Sequence, residues 1–259
     1  MLSWTGVNTE HDGTDRKSVL LLHAFPLSGA MWHPQLRALD EKGYRAVAPN
    51  AWGIEGSPER TGWTFDDYAD ELVRLMDSLK ISDATVLGLS MGGYQAFALE
   101  KRHPERVRSL VLADTRPEAD APGAAAARAD FIAGVAERGA EEAVKRMVPN
   151  YFTKEAPKRL QQEAAAMIKA QPPGAIISAM RAIMQRSDST AMQSSISCPT
   201  MVICGEHDTL TPPETARAMA LAIPGATLEI IAEAGHISNL EQPEAFNKAL
   251  FGHLTGLTR

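Results

Sequence analysis

The sequence predicts an α/β fold in which a mostly parallel central sheet is flanked by helices and carries an inserted helical cap. Short apolar runs alternate with amphipathic stretches, and this alternation stops between about residues 116 and 195. The length of 259 residues suits one large hydrophobic core. We therefore predict a core of residues 1–115 and 196–259 and a cap of residues 116–195.

Six runs rich in apolar and β-branched residues are predicted as strands. Near-continuous apolarity is typical of strands that are buried on both faces, as in a parallel sheet. The predicted strands are Ser18–Leu22, Arg45–Ala48, Thr85–Leu89, Arg106–Leu112, Thr200–Cys204 and Thr227–Ile231. The segment LSWTGVNTE near the start alternates in polarity and is predicted as an antiparallel edge strand.

Helical spacing of apolar residues predicts the elements between the strands. From Phe65 to Leu79 apolar side chains recur at i, i+3, i+4 and i+7, and Thr64 is the predicted N-cap. A last helix is predicted to begin at Pro243, because the first helical position needs no N–H donor. The alanine-rich stretch from Arg116 to Ser195 is interrupted by Pro and Gly and predicts several helices.

Composition excludes several classes of partner. The net charge is −6, and no block of Lys or Arg offers a surface for nucleic acid. We expect a cytoplasmic protein without a membrane partner, because neither a signal peptide nor a run of about 20 apolar residues is visible. Cys198 and Cys204 are the two ends of the segment CPTMVIC, whose extended, strand-like pattern keeps them too far apart for a disulfide. The oligomeric state is left open.

The segment Gly88-Leu89-Ser90-Met91-Gly92 has the pattern G-x-S-x-G. It follows a predicted strand and opens a predicted helix, which is the setting in which this pattern forms a sharp turn with an exposed serine. Glycine suits so tight a turn because it has no side chain to collide. Ser90 either caps the helix that follows or acts as a nucleophile.

A serine nucleophile needs a histidine base and an acid that orients it. His236 follows the predicted strand Thr227–Ile231, and Asp208 follows Thr200–Cys204. Because the carboxyl ends of parallel strands share one edge of the sheet, Ser90, Asp208 and His236 are expected to meet there, in the usual chain order. Asp114 also ends a predicted strand and stays an alternative acid.

A negative charge that develops on a substrate oxygen needs donors close to Ser90. The residue after the nucleophile supplies one backbone N–H, and a loop after an earlier strand supplies the other. We predict that the backbone N–H groups of Met91 and Phe25 form this oxyanion hole. His23 lies in the same loop as Phe25 and is expected to be structural.

Four segments, HAFPLSGAMW, GLSMGGYQAF, CGEHDTLTPP and GHISNLEQPEAFN, occur in an order that resembles the α/β-hydrolase superfamily. The resemblance extends over nearly the whole chain and is strongest to the esterase and 3-oxoadipate enol-lactonase-like branch. It implies Ser90 as nucleophile, His236 as general base and acid, and Asp208 as orienting acid. It also implies a helical cap, a small-molecule ester or lactone substrate, and neither a metal nor an organic cofactor.

One loop departs from this family pattern. Many relatives carry Asp-x-Arg-Gly-x-Gly-x-Ser, whereas this chain reads PNAWGIEGSP, with Asn50 and Trp52 in place of the charged pair. Because the loop borders the site in relatives, Trp52 is a candidate substrate-binding residue.

The predicted function is hydrolysis of carboxylic esters or lactones through an acyl-enzyme. A cofactor-free perhydrolase of the kind once called haloperoxidases would use the same three residues, and a small-molecule sensor would keep them in vestigial form. The sequence leaves open whether the substrate is an anionic lactone or a neutral ester, with Arg116 and Arg181 as candidate cations. Apolar candidates for the pocket are Phe131, Met147, Phe152, Met167, Met180 and Met184.

Overall fold

A computed structural model describes residues 1–9 and 17–257, which build a seven-stranded sheet in the order β1-β3-β2-β4-β5-β6-β7. The strands are β1 (Trp4–Val7), β2 (Ser18–Leu22), β3 (Arg45–Pro49), β4 (Ala84–Leu89), β5 (Val107–Ala113), β6 (Thr200–Gly205) and β7 (Thr227–Ile231). β1 pairs with β3 in the antiparallel sense, and all other pairs are parallel. The predicted α/β fold with a mostly parallel sheet is confirmed.

The observed strand limits stay within one residue of the predicted ones. β2 and β7 have the predicted bounds, and the other four predicted strands differ by one residue at one or both ends. The inner strands are buried on both faces except at Arg108 of β5, whereas β7 exposes both Thr227 and Glu229. The reason is position, because β7 is the last strand of the sheet.

Helices cover the sheet and connect its strands. They are α1 (His33–Glu41), α2 (Phe65–Ser78), α3 (Met91–Arg102), α4 (Ala124–Arg138), α5 (Ala140–Met147), α6 (Lys158–Lys169), α7 (Pro173–Met184), α8 (Pro213–Ala222), α9 (Ser238–Glu241) and α10 (Pro243–Gly256). α2 begins after Thr64 as predicted, with a capping box in which Thr64 and Asp67 each accept the other's backbone N–H. α10 begins at Pro243, also as predicted.

The helices α4 to α7 all lie between β5 and β6, where the sequence predicts inserted helices. Phe131 of α4 packs on Phe25, which follows β2, with ring centroids 5.8 Å apart. The inserted segment therefore contacts the loop that follows β2. The division into a core of residues 1–115 and 196–259 and a cap of residues 116–195 stays a prediction.

Two smaller expectations concern the cysteines and the membrane. Cys198 is half-buried and Cys204 is buried, and both are free thiols. Across residues 1–9 and 17–257 no helix is both long and apolar enough to span a bilayer.

Candidate active site

Ser90 lies at the turn between β4 and α3 with φ of 57° and ψ of −112°. A non-glycine residue rarely has such a positive φ, so the surrounding chain must hold the turn in place. A Cβ atom on Gly88 would lie 2.1 Å from the carbonyl oxygen of Gly92, and one on Gly92 would lie 2.1 Å from that of Leu22. Both positions require glycine because two backbone segments approach each other here.

The side chain of Ser90 does not cap α3. Its Oγ lies 2.8 Å from Nε2 of His236 instead. The backbone of Ser90 is held from the neighbouring strand: its N–H donates to Ala113, and its carbonyl accepts from the hydroxyl of Thr115. The local geometry thus directs the serine hydroxyl to the histidine rather than to the N–H groups of α3.

His236 and Asp208 extend this contact into a chain of hydrogen bonds. Nδ1 of His236 lies 2.8 Å from Oδ2 of Asp208, and the two side chains are 4% and 0% exposed. A carboxylate accepts only, so Nδ1 carries the proton and Nε2 is left to accept the hydroxyl proton of Ser90. The structure therefore brings together the three residues that the sequence places at one edge of the sheet.

The loop after β6 holds the carboxylate of Asp208. The backbone N–H groups of Leu210 and Thr211 donate to Oδ1 at 2.8 and 3.0 Å, and the Thr211 hydroxyl donates to Oδ2 at 2.5 Å. Burial by itself would raise the pKa of Asp208, but the hydrogen bonds from His236 and Thr211 outweigh it and lower the pKa. Asp208 is therefore an ionised, fixed partner of the histidine.

Asp114, the alternative acid, has different partners. Its carboxylate accepts from the backbone N–H of Gly205 at 2.7 Å and from the hydroxyl of Ser238 at 2.5 Å. Burial, reinforced by the neighbouring charge of Asp208, raises the pKa of Asp114 to about 7. Asp114 thus joins the ends of β5 and β6 to the residue two positions after His236.

The donor set beside Asp114 is a poor match for a metal ion. Ligand atoms of Asp114, Cys204 and Asp208 lie within 4.8 Å of one another. Both carboxylates already accept hydrogen bonds from the chain, and burial raises the pKa of the Cys204 thiol far above its usual range. A metal ion binds the thiolate, so this environment opposes binding.

The backbone N–H groups of Phe25 and Met91 are the predicted oxyanion donors. Within residues 1–9 and 17–257 neither N–H donates to a protein atom, and both residues line the same pocket as Ser90. His23 fixes the loop of Phe25: Nδ1 donates to Ala24, and Nε2 accepts from the N–H of Ala51. Burial lowers the pKa of His23 to about 4, so this histidine is neutral and structural.

Ser90 and His236 open into a pocket of about 170 Å³. Phe25, Met91 and Tyr94 line it from the region before β5. Six residues line it from the segment between β5 and β6, namely Arg116, Asp120, Arg128, Met147, Ile183 and Arg186. We call this cavity the Ser90 pocket.

Trp52 is not among the residues that line the Ser90 pocket. Its buried ring packs edge-on against Trp63 and Tyr68, with centroids 5.4 and 5.3 Å away, and Arg60 stacks over it. Asn50, the other departure from the family pattern, accepts from the N–H of Gly29 at 2.7 Å. Both residues stabilise the loop that follows β3.

Of the candidates in the inserted segment, the structure brings Arg116 and Met147 to the Ser90 pocket. Arg181 is exposed and lies beside Met184 in a separate surface depression. Sequence reasoning missed Tyr94, Arg128 and Arg186, which line the pocket, and Tyr151, whose ring stacks on His236. Tyr94 had a usable signal, because it lies four residues after Ser90 and so on the same face of α3.

Comparisons with known proteins agree with this architecture. The family model described as alpha/beta hydrolase fold matches residues 17–243. A thermophilic esterase from Thermogutta terrifontis superposes with a TM-score of 0.93 at 31% identity, over 99% of this chain and 93% of its own.

Two curated relatives also match this chain over most of its length and of their own. 3-oxoadipate enol-lactonase 2 of Acinetobacter baylyi is 29% identical over 91% of this chain and 88% of its own length. "Putative non-heme bromoperoxidase BpoC" of Mycobacterium tuberculosis is 29% identical over 86% and 88%. From the family match over most of its length, together with the sheet and the serine turn, we conclude that this chain belongs to the α/β-hydrolase fold family.

Proposed function

We propose that this protein hydrolyses carboxylic esters or lactones through an acyl-enzyme formed on Ser90. The observation that carries the proposal is the chain of two 2.8 Å hydrogen bonds from Ser90 through His236 to Asp208. That chain ends at a serine in strained geometry, in a pocket where two backbone N–H groups are available. This combination suits acyl transfer.

In the acylation step Nε2 of His236 takes the proton of Ser90, and Oγ attacks the carbonyl carbon of the substrate. Asp208 keeps the proton on Nδ1 and stabilises the imidazolium that forms. The N–H groups of Phe25 and Met91 bind the oxyanion, each donor contributing on the order of 3 kcal/mol to transition-state stabilisation. His236 then donates its proton to the departing alcohol oxygen.

In the deacylation step a water molecule takes the place of the alcohol. His236 removes a proton from the water, the hydroxide attacks the acyl carbon, and the same N–H groups bind the second oxyanion. Collapse of this intermediate returns the proton to Ser90 and releases the carboxylic acid. A lactone follows the same steps, except that its alcohol stays attached to the acyl group.

The relatives support the substrate class. An esterase and an enol-lactonase both match nearly the full length of this chain. The small Ser90 pocket, about 170 Å³, favours a small-molecule substrate.

A second candidate is perhydrolysis, which the similarity to a bromoperoxidase-named relative favours. In that reaction hydrogen peroxide attacks the acyl-enzyme instead of water and a peracid leaves. The acylation half is unchanged, so both activities need Ser90.

A substrate panel separates these candidates. The wild-type protein and Ser90→Ala are assayed with p-nitrophenyl esters, simple lactones and enol-lactones, with and without hydrogen peroxide. The proposal predicts that acid release depends on Ser90. It also predicts that peracid formation competes with acid release only at high concentrations of peroxide. Predominant peracid formation at low peroxide favours the second candidate. Tight binding with almost no turnover in the wild type favours a sensor and contradicts both.

A further inference from the structure

The Ser90 pocket carries more positive charge than the rest of the chain leads one to expect. Three arginines, Arg116, Arg128 and Arg186, line it, and Asp120 is the one acidic lining residue among those that the structure describes. The chain as a whole has a formal charge of −6. A local excess of two positive charges in a small cavity raises the local concentration of anions.

Two of the arginines are already paired. Arg128 contacts both carboxylate oxygens of Asp120 at 3.1 and 3.3 Å, and Arg186 contacts Oδ1 at 2.7 Å. Arg186 also stacks over the ring of Tyr94 at 4.4 Å, and its side chain is only 4% exposed. Asp120 therefore neutralises part of their charge and fixes their positions.

Arg116 is different because it has no carboxylate partner. Among residues 1–9 and 17–257 no acidic oxygen lies within 4.0 Å of its guanidinium, which donates one hydrogen bond, to the carbonyl of Leu210. A guanidinium has five N–H donors in a planar fork, so most of them remain for a ligand. This half-buried cation faces the pocket that contains Ser90.

The hydroxyl of Tyr94 is a second available donor among the residues that line the Ser90 pocket. It makes no hydrogen bond to any residue that the structure describes, although the side chain lines the pocket. Burial raises the pKa of Tyr94 even though Arg186, Arg116 and Arg128 oppose the shift. The phenol is therefore protonated at neutral pH and can donate.

We propose that Arg116 and the Tyr94 hydroxyl bind a carboxylate on the substrate, so that the preferred esters or lactones are anionic. The inference rests on the proposed function and adds the class of substrate to it. Charge-assisted hydrogen bonds from a planar guanidinium match the two oxygens of a carboxylate. Tyr94 lies one turn after Ser90 in α3, and Arg116 follows Thr115, which binds the Ser90 carbonyl. Both donors are thus held close to the reacting serine.

Two esters of the same acyl length test the proposal. p-Nitrophenyl pentanoate is neutral, whereas mono-p-nitrophenyl glutarate, also with a five-carbon acyl group, carries a terminal carboxylate. The quantity compared is the ratio of kcat/KM for the anionic ester to kcat/KM for the neutral ester. We expect the wild type to favour the anionic ester and Arg116→Gln to lower the ratio by at least about tenfold, the effect of one charge-assisted hydrogen bond.

Two further variants sharpen the comparison. Arg116→Lys keeps the charge but not the planar fork, and we expect it to retain part of the preference. Arg181→Gln removes an exposed arginine outside the Ser90 pocket and should leave the ratio unchanged. Added salt should reduce the preference in the wild type, since the interaction is between charges.

A wild type that favours the neutral ester would overturn the inference. So would an Arg116→Gln variant that loses both activities by the same factor, because this result assigns Arg116 to holding the Leu210 loop. Failure of the proposed function is recognised separately, since it removes hydrolysis of both esters. Binding of monomethyl glutarate to Ser90→Ala can be measured by calorimetry without turnover. The inference requires that adding Arg116→Gln to this variant weakens the binding at least about tenfold.

Discussion

The hydroxyl of Tyr151 donates a 2.6 Å hydrogen bond to the carbonyl oxygen of Phe25. Tyr151 belongs to the segment between β5 and β6, and Phe25 follows β2. The tyrosine ring also stacks against His236, with centroids 6.3 Å apart and planes 27° from parallel. One side chain from the inserted segment therefore contacts both the residue proposed as oxyanion donor and the residue proposed as base.

The variant Tyr151→Phe tests whether this contact positions the Phe25 loop. The ring and its stacking on His236 remain, but the buried carbonyl of Phe25 loses its donor. We expect a loss of about 1 kcal/mol in the free energy of unfolding. We also expect kcat to fall about tenfold with a smaller change in KM, because the reacting groups are displaced. Steady-state kinetics and urea unfolding measure the two effects, and an unchanged kcat would limit Tyr151 to a structural role.

The assignment of the orienting acid is tested by Asp208→Asn. An amide in place of the carboxylate favours the wrong tautomer of His236, and we expect kcat to fall by about 10⁴. Asp114→Asn is the matched control, since Asp114 binds Gly205 and Ser238 rather than the histidine. The control should retain most of the wild-type turnover. If Asp114→Asn abolished turnover while Asp208→Asn kept it, the two roles would be reversed.

The close packing at the serine turn is tested by Gly92→Ala. The added Cβ would lie 2.1 Å from the carbonyl oxygen of Leu22, so backbone must move, at a cost of about 1 to 3 kcal/mol in stability. Gly252→Ala in α10 is the control, because a Cβ there meets no atom within 4 Å. Alanine favours a helix interior over glycine, and this control should gain about 0.5 to 1 kcal/mol. Equal effects in thermal unfolding would contradict the account.

Glu100 gives a prediction about pH and stability. Burial raises the pKa of this carboxyl from 4.5 to about 7, while the nearby thiol of Cys198 opposes the shift. The folded state then holds a proton that the unfolded chain releases, so stability falls as pH rises from about 4.5 to about 7. Glu100→Gln has no such proton. Its free energy of unfolding, relative to that of the wild type, should therefore rise by on the order of 2 kcal/mol from pH 5 to pH 8.

Urea unfolding at pH 5 and pH 8 measures this difference. The exposed Glu118 provides the control, and Glu118→Gln should follow the wild type at both values. A Glu100→Gln variant whose stability relative to the wild type is the same at pH 5 and pH 8 would show that the carboxyl ionises normally in the fold.

The sequence predicted the sheet well because a parallel strand that is buried on both faces appears as a short, nearly continuous apolar run. Apolar runs end at Leu89, Cys204 and Ile231, and strands of one parallel sheet end at one edge. This rule places Ser90, Asp208 and His236 within reach of one another, and the structure brings them into hydrogen-bonding contact. Local pattern and sheet topology together were enough for this part of the site.

The inserted segment could not be predicted in the same detail. Helical spacing identifies which face of a helix is apolar, but not which helix lies over the sheet edge. Nothing in the sequence therefore distinguishes Arg128, Arg186 or Tyr151 from the other residues of the inserted segment. The same limit explains Trp52: its loop could be recognised, but its packing against Trp63 and Tyr68 depends on contacts between distant residues.

The most direct test of the central claim is mass spectrometry of the protein quenched during turnover of a p-nitrophenyl ester. The account predicts an intact mass increased by one acyl group, with the modification mapped to the peptide that contains Ser90. Ser90→Ala, folded as judged by circular dichroism, should show neither the adduct nor the burst of p-nitrophenol. An acyl group on another residue, or turnover retained by Ser90→Ala, would contradict the account.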